Sequence, residues 1–128
     1  MTRFEDALAA ELVWLLRAGV PTRAVRLTVR EHLVMRLERG PLGAREVEDT
    51  VEATVRAACR LVWDLGAPED VVETVCRAAL EAVRGHGGAS ARWLPEATHA
   101  AFVVLDEVAR ERASEPTWGW LVRQLPSW

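Results

Sequence analysis

The sequence predicts an all-α protein, a helical bundle of five to six helices built on two duplicated helix-Gly-x-Pro-helix hairpins. Three observations carry that expectation. Apolar residues return every three to four positions through long segments, which is the spacing of one helix face. No segment sustains the two-residue alternation of a half-buried strand. Glycine and proline punctuate the chain where one periodic segment gives way to the next.

The first helix runs from about Arg3 to Ala18, with Phe4, Leu8, Leu12, Leu15 and Leu16 on one side. Gly19 offers a left-handed C-terminal cap, and Pro21, lacking an N–H that would have had no partner there, suits the first position of the next helix. That second helix continues to about Arg39 and stops at Gly40-Pro41-Leu42-Gly43. Its apolar residues, Val25, Leu27, Val29, Leu33, Val34, Met35 and Leu37, spread around the helix and predict neighbours on several sides.

The third helix, Ala44 to Leu65, is the clearest, because Val47, Val51, Val55, Ala58, Val62 and Leu65 keep to one stripe. Glu52 with Arg56, and Arg60 with Asp64, stand at i,i+4 and read as a solvated outer face. Gly66-Ala67-Pro68 then repeats the earlier turn. In the fourth helix, Pro68 to Arg84, Glu69 and Asp70 oppose the positive end of the helix dipole and Arg84 the negative end. Its expected buried stripe is Val72, Val75, Cys76, Ala79, Leu80 and Val83. Gly85 to Ala91 reads as a flexible linker. A fifth helix spans about Pro95 to Ala113, with Ala100 to Leu105 apolar enough for a central position, and Thr117 to Leu125 can form a short sixth. The domain organisation is therefore one helical unit over residues 1–128, with hairpin one at 3–39, hairpin two at 44–84 and C-terminal helices within 95–125.

The two hairpins resemble each other in sequence. Leu12-Val13-Trp14 aligns with Leu61-Val62-Trp63, and after a two-residue gap Gly19 and Pro21 meet Gly66 and Pro68. Beyond the turn the offset is 47 residues, pairing Val25 with Val72, Arg30 with Arg77 and Leu33 with Leu80. Duplication followed by two-fold packing into a four-helix core accounts for the match. It places Trp14 and Trp63 in the core or between packed hairpins, and brings Cys59 and Cys76 to similar depths from the second turn. Charge divides unevenly: residues 1–45 hold eight Arg against five acids, residues 46–83 three Arg against nine. A basic and an acidic half can dock on each other within one chain or between two.

Composition excludes several chemistries. The chain has no lysine, tyrosine, asparagine or isoleucine, and arginine supplies all 16 basic side chains, a skew expected of a GC-rich genome because the missing residues have A/T-rich codons. Without lysine there is no phosphate-cradling Walker A loop and no Schiff-base lysine. The two cysteines have neither CxxC nor Cys/His spacing and read as reduced core residues. An acidic N-terminus without an apolar signal core, and no long uncharged apolar run, predict a cytoplasmic protein that does not enter a membrane. No cofactor is expected.

Four groups are candidate functional residues. Arg23, Arg26 and Arg30 form a basic stripe on the second helix that could touch phosphates; net charge −3 and the lack of interleaved aromatics make a salt-linked face the preferred reading and nucleic acid an unexpected partner. Arg26 with His32, and Arg92 with His99, are separated by five and six residues. This spacing resembles the Arg-x(4 to 6)-His signature of HEPN-type RNases, small helical domains that dimerise to build their site. The resemblance implies phosphate binding by Arg92 and acid or base work by His99. It departs from that family in placing Leu27 or Trp93 where a polar residue is usual. Glu96 and His99 have the Glu-x-x-His spacing of di-iron bundles, but the second such motif that a complete site needs is missing. Finally, Trp118, Trp120 and Trp128 crowd the last eleven residues; with Leu121 they can seal the bundle or anchor a partner, since tryptophan is favoured at binding hot spots. Thr117 to Arg123 also resembles, over seven residues, the tail by which cargo proteins dock inside encapsulin shells. The expected function is a small helical interaction or adaptor protein, a homodimer, with an HEPN-like RNase using Arg92 and His99 as the alternative.

Overall fold

The computed structural model describes residues 3–38, 43–67, 70–85 and 91–111. Among them are five α-helices and no strand: α1 (Arg3–Arg17), α2 (Thr22–Leu37), α3 (Ala44–Leu65), α4 (Asp70–Gly85) and α5 (Leu94–Glu111). A 3-10 turn at Ala91–Trp93 leads into α5, so Ala91, expected in the linker, already belongs to structure. The expected sixth helix over 117–125 lies outside the described residues.

Both glycines foreseen as caps adopt the left-handed conformation, Gly19 at φ 70° and Gly66 at φ 66°, where a Cβ would be strained. Their hydrogen bonds differ. Val20 N–H donates to the Leu15 carbonyl, five residues back, whereas Ala67 N–H donates to the Leu61 carbonyl, six back, both at 3.3 Å. Pro21 stands one position earlier than expected: its backbone is extended (φ −68°, ψ 157°), making it the N-cap, and the helix begins at Thr22. Proline restricts φ to a value common to both states, so ψ settles the boundary. At the start of α3 the Gly43 N–H donates to Glu46 Oε2 at 3.0 Å, returning the N3 side chain to the N-cap backbone.

The helices stack in three layers. α1 lies on α3 and α2 on α4, so hairpin one covers one side of hairpin two, and α5 covers the other side, chiefly against α3. α3, with 22 residues the longest, touches each of the other four helices and holds the central position expected for the fifth. In α5 the apolar run buries Ala100, Ala101, Val104 and Leu105 but leaves Phe102 and Val103 half-buried. That is the one-sided burial of an outer helix. α3 and α4 also pack on each other, and the small side chains Ala57 and Ala58 of α3 and Ala78, Ala79 and Ala82 of α4 are all buried, which suits close helix approach. The buried Thr50 and Thr54 hydroxyls donate at 2.8 Å to the carbonyls of Glu46 and Thr50, one turn back, so neither is left without a bond.

Two expectations about side chains meet different fates. Cys59 and Cys76 are free and buried; burial pushes the Cys59 thiol up to about 12. The Cys76 thiol is raised as well, first by burial and then by the charge of Cys59. The arginines of α3, by contrast, do not simply form a solvated face. Arg56 Nη2 donates to Glu107 Oε2 of α5 at 2.7 Å and lies 3.8 Å from Glu52. Arg60 Nη1 donates to Glu5 at 3.1 Å and Asp6 at 3.0 Å, both on α1. The hydrogen bond to Glu107 and that to Asp6 hold the two guanidiniums above the ordinary arginine range despite the opposing effect of burial. Because α3 is the middle of the stack, its polar edge meets helices on both sides, and these pairs clamp α1 and α5 onto it.

Candidate functional site

The largest departure from the expected core is on hairpin one. Trp14 is 67% exposed, Met35 57% and Leu27 48%, although Trp14 aligns with Trp63, which is half-buried and packed against the core. Placing Trp14 in the core was incorrect, and the reason lies in the alignment gap. Trp14 precedes its cap glycine by five residues and Trp63 by three; two residues of helix turn a side chain by about 200°, so the two indoles leave their turns in opposite directions. Ala7, Ala10 and Ala18 are also exposed and recur with Trp14 at helical spacing, giving α1 an outward apolar face. Of the spread apolar residues of α2, only Val25, Val29, Leu33 and Leu37 are buried, so the neighbours expected on several sides are incomplete among the described residues.

His32 is where α1 and α2 meet. Its Nε2 contacts Glu11 Oε2, and its ring meets Phe4 edge-on with centroids 6.5 Å apart. Arg26 faces elsewhere: its Nη2 donates to both carboxylate oxygens of Glu81 on α4, at 2.8 and 2.9 Å. The residues of the first Arg-His spacing are thus each engaged with a different helix and do not converge. Within the basic stripe Arg26 is salt-linked, while Arg23 and Arg30 are exposed. The Arg26–Glu81 pair joins the basic half to the acidic half, as the charge division anticipates; Arg60 with Glu5 and Asp6 runs the other way.

At the second Arg-His spacing, Arg92 and His99 are both exposed. The Arg92 guanidinium lies 4.7 Å from the centroid of the Trp93 ring, a cation–π contact. Glu96 is half-buried, and its Oε2, like the Trp93 Nε1, is buried without a hydrogen-bond partner. Among the described residues no group of three or more potential metal ligands comes together. Trp118, Trp120, Leu121 and Trp128 lie outside the described residues.

Two open clefts mark the joins between layers. One of about 330 Å³ lies among α1, α2 and α3, with Arg36 and Arg56 beside Glu5, Asp49 and Glu52. The other, about 190 Å³, lies between the hairpins, with Leu16, Val20, Val25 and Val71 as its apolar wall. The second is smaller than the roughly 300 Å³ at which small-molecule pockets usually begin. Among the described residues no helix is long and apolar enough to cross a membrane. No family model, curated protein or solved structure matches this chain.

Proposed function

We propose that the protein is a small cytoplasmic interaction or adaptor protein, homodimeric, that works through surface contact. The observation supporting this reading is the set of large apolar side chains, Trp14, Leu27 and Met35, held in solvent on hairpin one. Single exposed apolar residues are ordinary, but an indole two-thirds exposed on a well-packed helix carries the contact area that makes tryptophan an interface anchor. The tryptophan-rich stretch with Trp118, Trp120, Leu121 and Trp128 supplies a second contact surface in this reading. Native mass spectrometry of the full chain is the test: a whole multiple of 14.2 kDa above one supports it, and a monomer at every concentration overturns the homodimer.

The competing reading is an HEPN-like RNase. Its support is the shared solvent exposure of Arg92, in the 3-10 turn that leads into α5, and His99, in the second turn of α5. RNA cleavage by the intact protein that His99→Ala abolishes would favour it, and no cleavage by the intact protein would remove it.

A further inference from the structure

We infer that the outward face of α1 is the dimer interface, occupied by α1 of a second copy running antiparallel to it; the inference rests on the homodimer proposed above. The face presents one large side chain and three small ones. Trp14 stands one turn from Ala10 and two from Ala7, with Ala18 beyond, all exposed. A two-fold axis perpendicular to the helix, passing between Ala10 and Trp14, sets each indole over the partner's alanines. The bulky group then meets a flat surface twice, as an isologous contact requires.

Charge selects the antiparallel sense. Asp6 and Arg17 lie eleven residues apart, near the two ends of this face, and their directions about the helix axis differ by only about 20°. They therefore share one flank. An antiparallel two-fold brings like flanks together with their ends exchanged, so Arg17 of one copy meets Asp6 of the other on both sides of the axis. A parallel pair would bring that flank against the opposite one, which carries Glu11, already engaged by His32. Arg17 is exposed and has no ion pair among the described residues. Asp6 accepts one bond, to Oδ1, from Arg60, and a carboxylate has room for further donors. The contact is short, a few helical turns, which belongs with small interfaces.

Three variants of the full chain test this by light scattering over a concentration series, with circular dichroism to confirm the helices. Trp14→Ser is expected to weaken self-association by about tenfold or more. Arg17→Glu is expected to weaken it several-fold, and Arg23→Glu, the same change in net charge on α2, to leave it as in the parent. A dimeric parent whose association survives Trp14→Ser overturns the α1 interface while the homodimer stands. Equal weakening by Arg17→Glu and Arg23→Glu overturns the Arg17–Asp6 pairing and with it the antiparallel arrangement. A parent that never dimerises overturns both readings together.

Discussion

Hairpin one and hairpin two share a turn, a Leu-Val-Trp motif and a pattern of Val, Arg and Leu beyond it, yet they are buried very differently. In α4 eight residues are buried, in α2 four, although both helices have 16 residues. The difference follows from the stack: among the described residues, hairpin two has hairpin one on one side and α5 on the other, while hairpin one has a covering layer on one side only. Similar local sequence in the two halves thus yields a core helix pair and a surface helix pair. The apolar residues that hairpin one keeps beyond its needs are the ones proposed here as a contact surface.

The largest effect that should separate the hairpins is alkaline destabilisation, because both cysteines belong to hairpin two. Burial raises the Cys59 thiol from 9.0 to about 12 and shifts Cys76 the same way. The folded state therefore holds these protons more tightly than the unfolded one. Stability is complete below about pH 9 and is lost as pH rises towards the folded values, by about 1.4 kcal/mol per pH unit for each thiol. Urea unfolding midpoints measured across that range should fall steeply, and a Cys59→Ala/Cys76→Ala variant should lose most of the slope. An unchanged slope would mean that the thiols are not buried in this way.

The aligned tryptophans give a smaller contrast. Trp63→Ala is expected to cost about 2 kcal/mol, less than a fully buried indole because Trp63 is half-exposed. Trp14→Ala should stay within about 0.5 kcal/mol at concentrations where the chain is monomeric. Equal costs in chemical denaturation would erase the distinction between the hairpins.

Smallest is the difference between clamps and surface pairs. A double-mutant cycle on Arg60 and Asp6, which join α3 to α1, should give a coupling of about 1 kcal/mol, since both side chains remain partly solvated. The same cycle on Arg110 and Asp106, an exposed i,i+4 pair at 2.8 Å, should give about 0.3 kcal/mol. A coupling at Arg60 no larger than at Arg110 would return the α3 arginines to the solvated face that their spacing first suggested.

That spacing marks where the sequence stops being sufficient. Glu52 and Arg56 do lie within 4 Å, but nothing in their neighbourhood along the chain indicates that Glu107, 51 residues away, would make the shorter bond. The same holds for Arg92 and His99: their spacing was legible, but whether a second chain completes a site there is not a property of one helix. The exposure of Trp14 had a signal, the two-residue gap before the cap glycine, which is lost once the alignment is taken as proof of equivalent surroundings.

By itself, the sequence determined the helices, their left-handed glycine caps, the buried stripe of α4 and that of α3 from Val47 to Ala58. These depend on residues within a turn or two of each other, where sterics and periodicity act without reference to the rest of the chain. The α3 stripe as expected ran on to Leu65, but Val62 is half-buried and Leu65, next to the cap glycine, is 42% exposed. Only the tertiary structure decided which helix is central, which arginines became clamps and which tryptophan stayed in water. Burial depends on what lies across from a face, and in this stack the answer is supplied by segments many residues away.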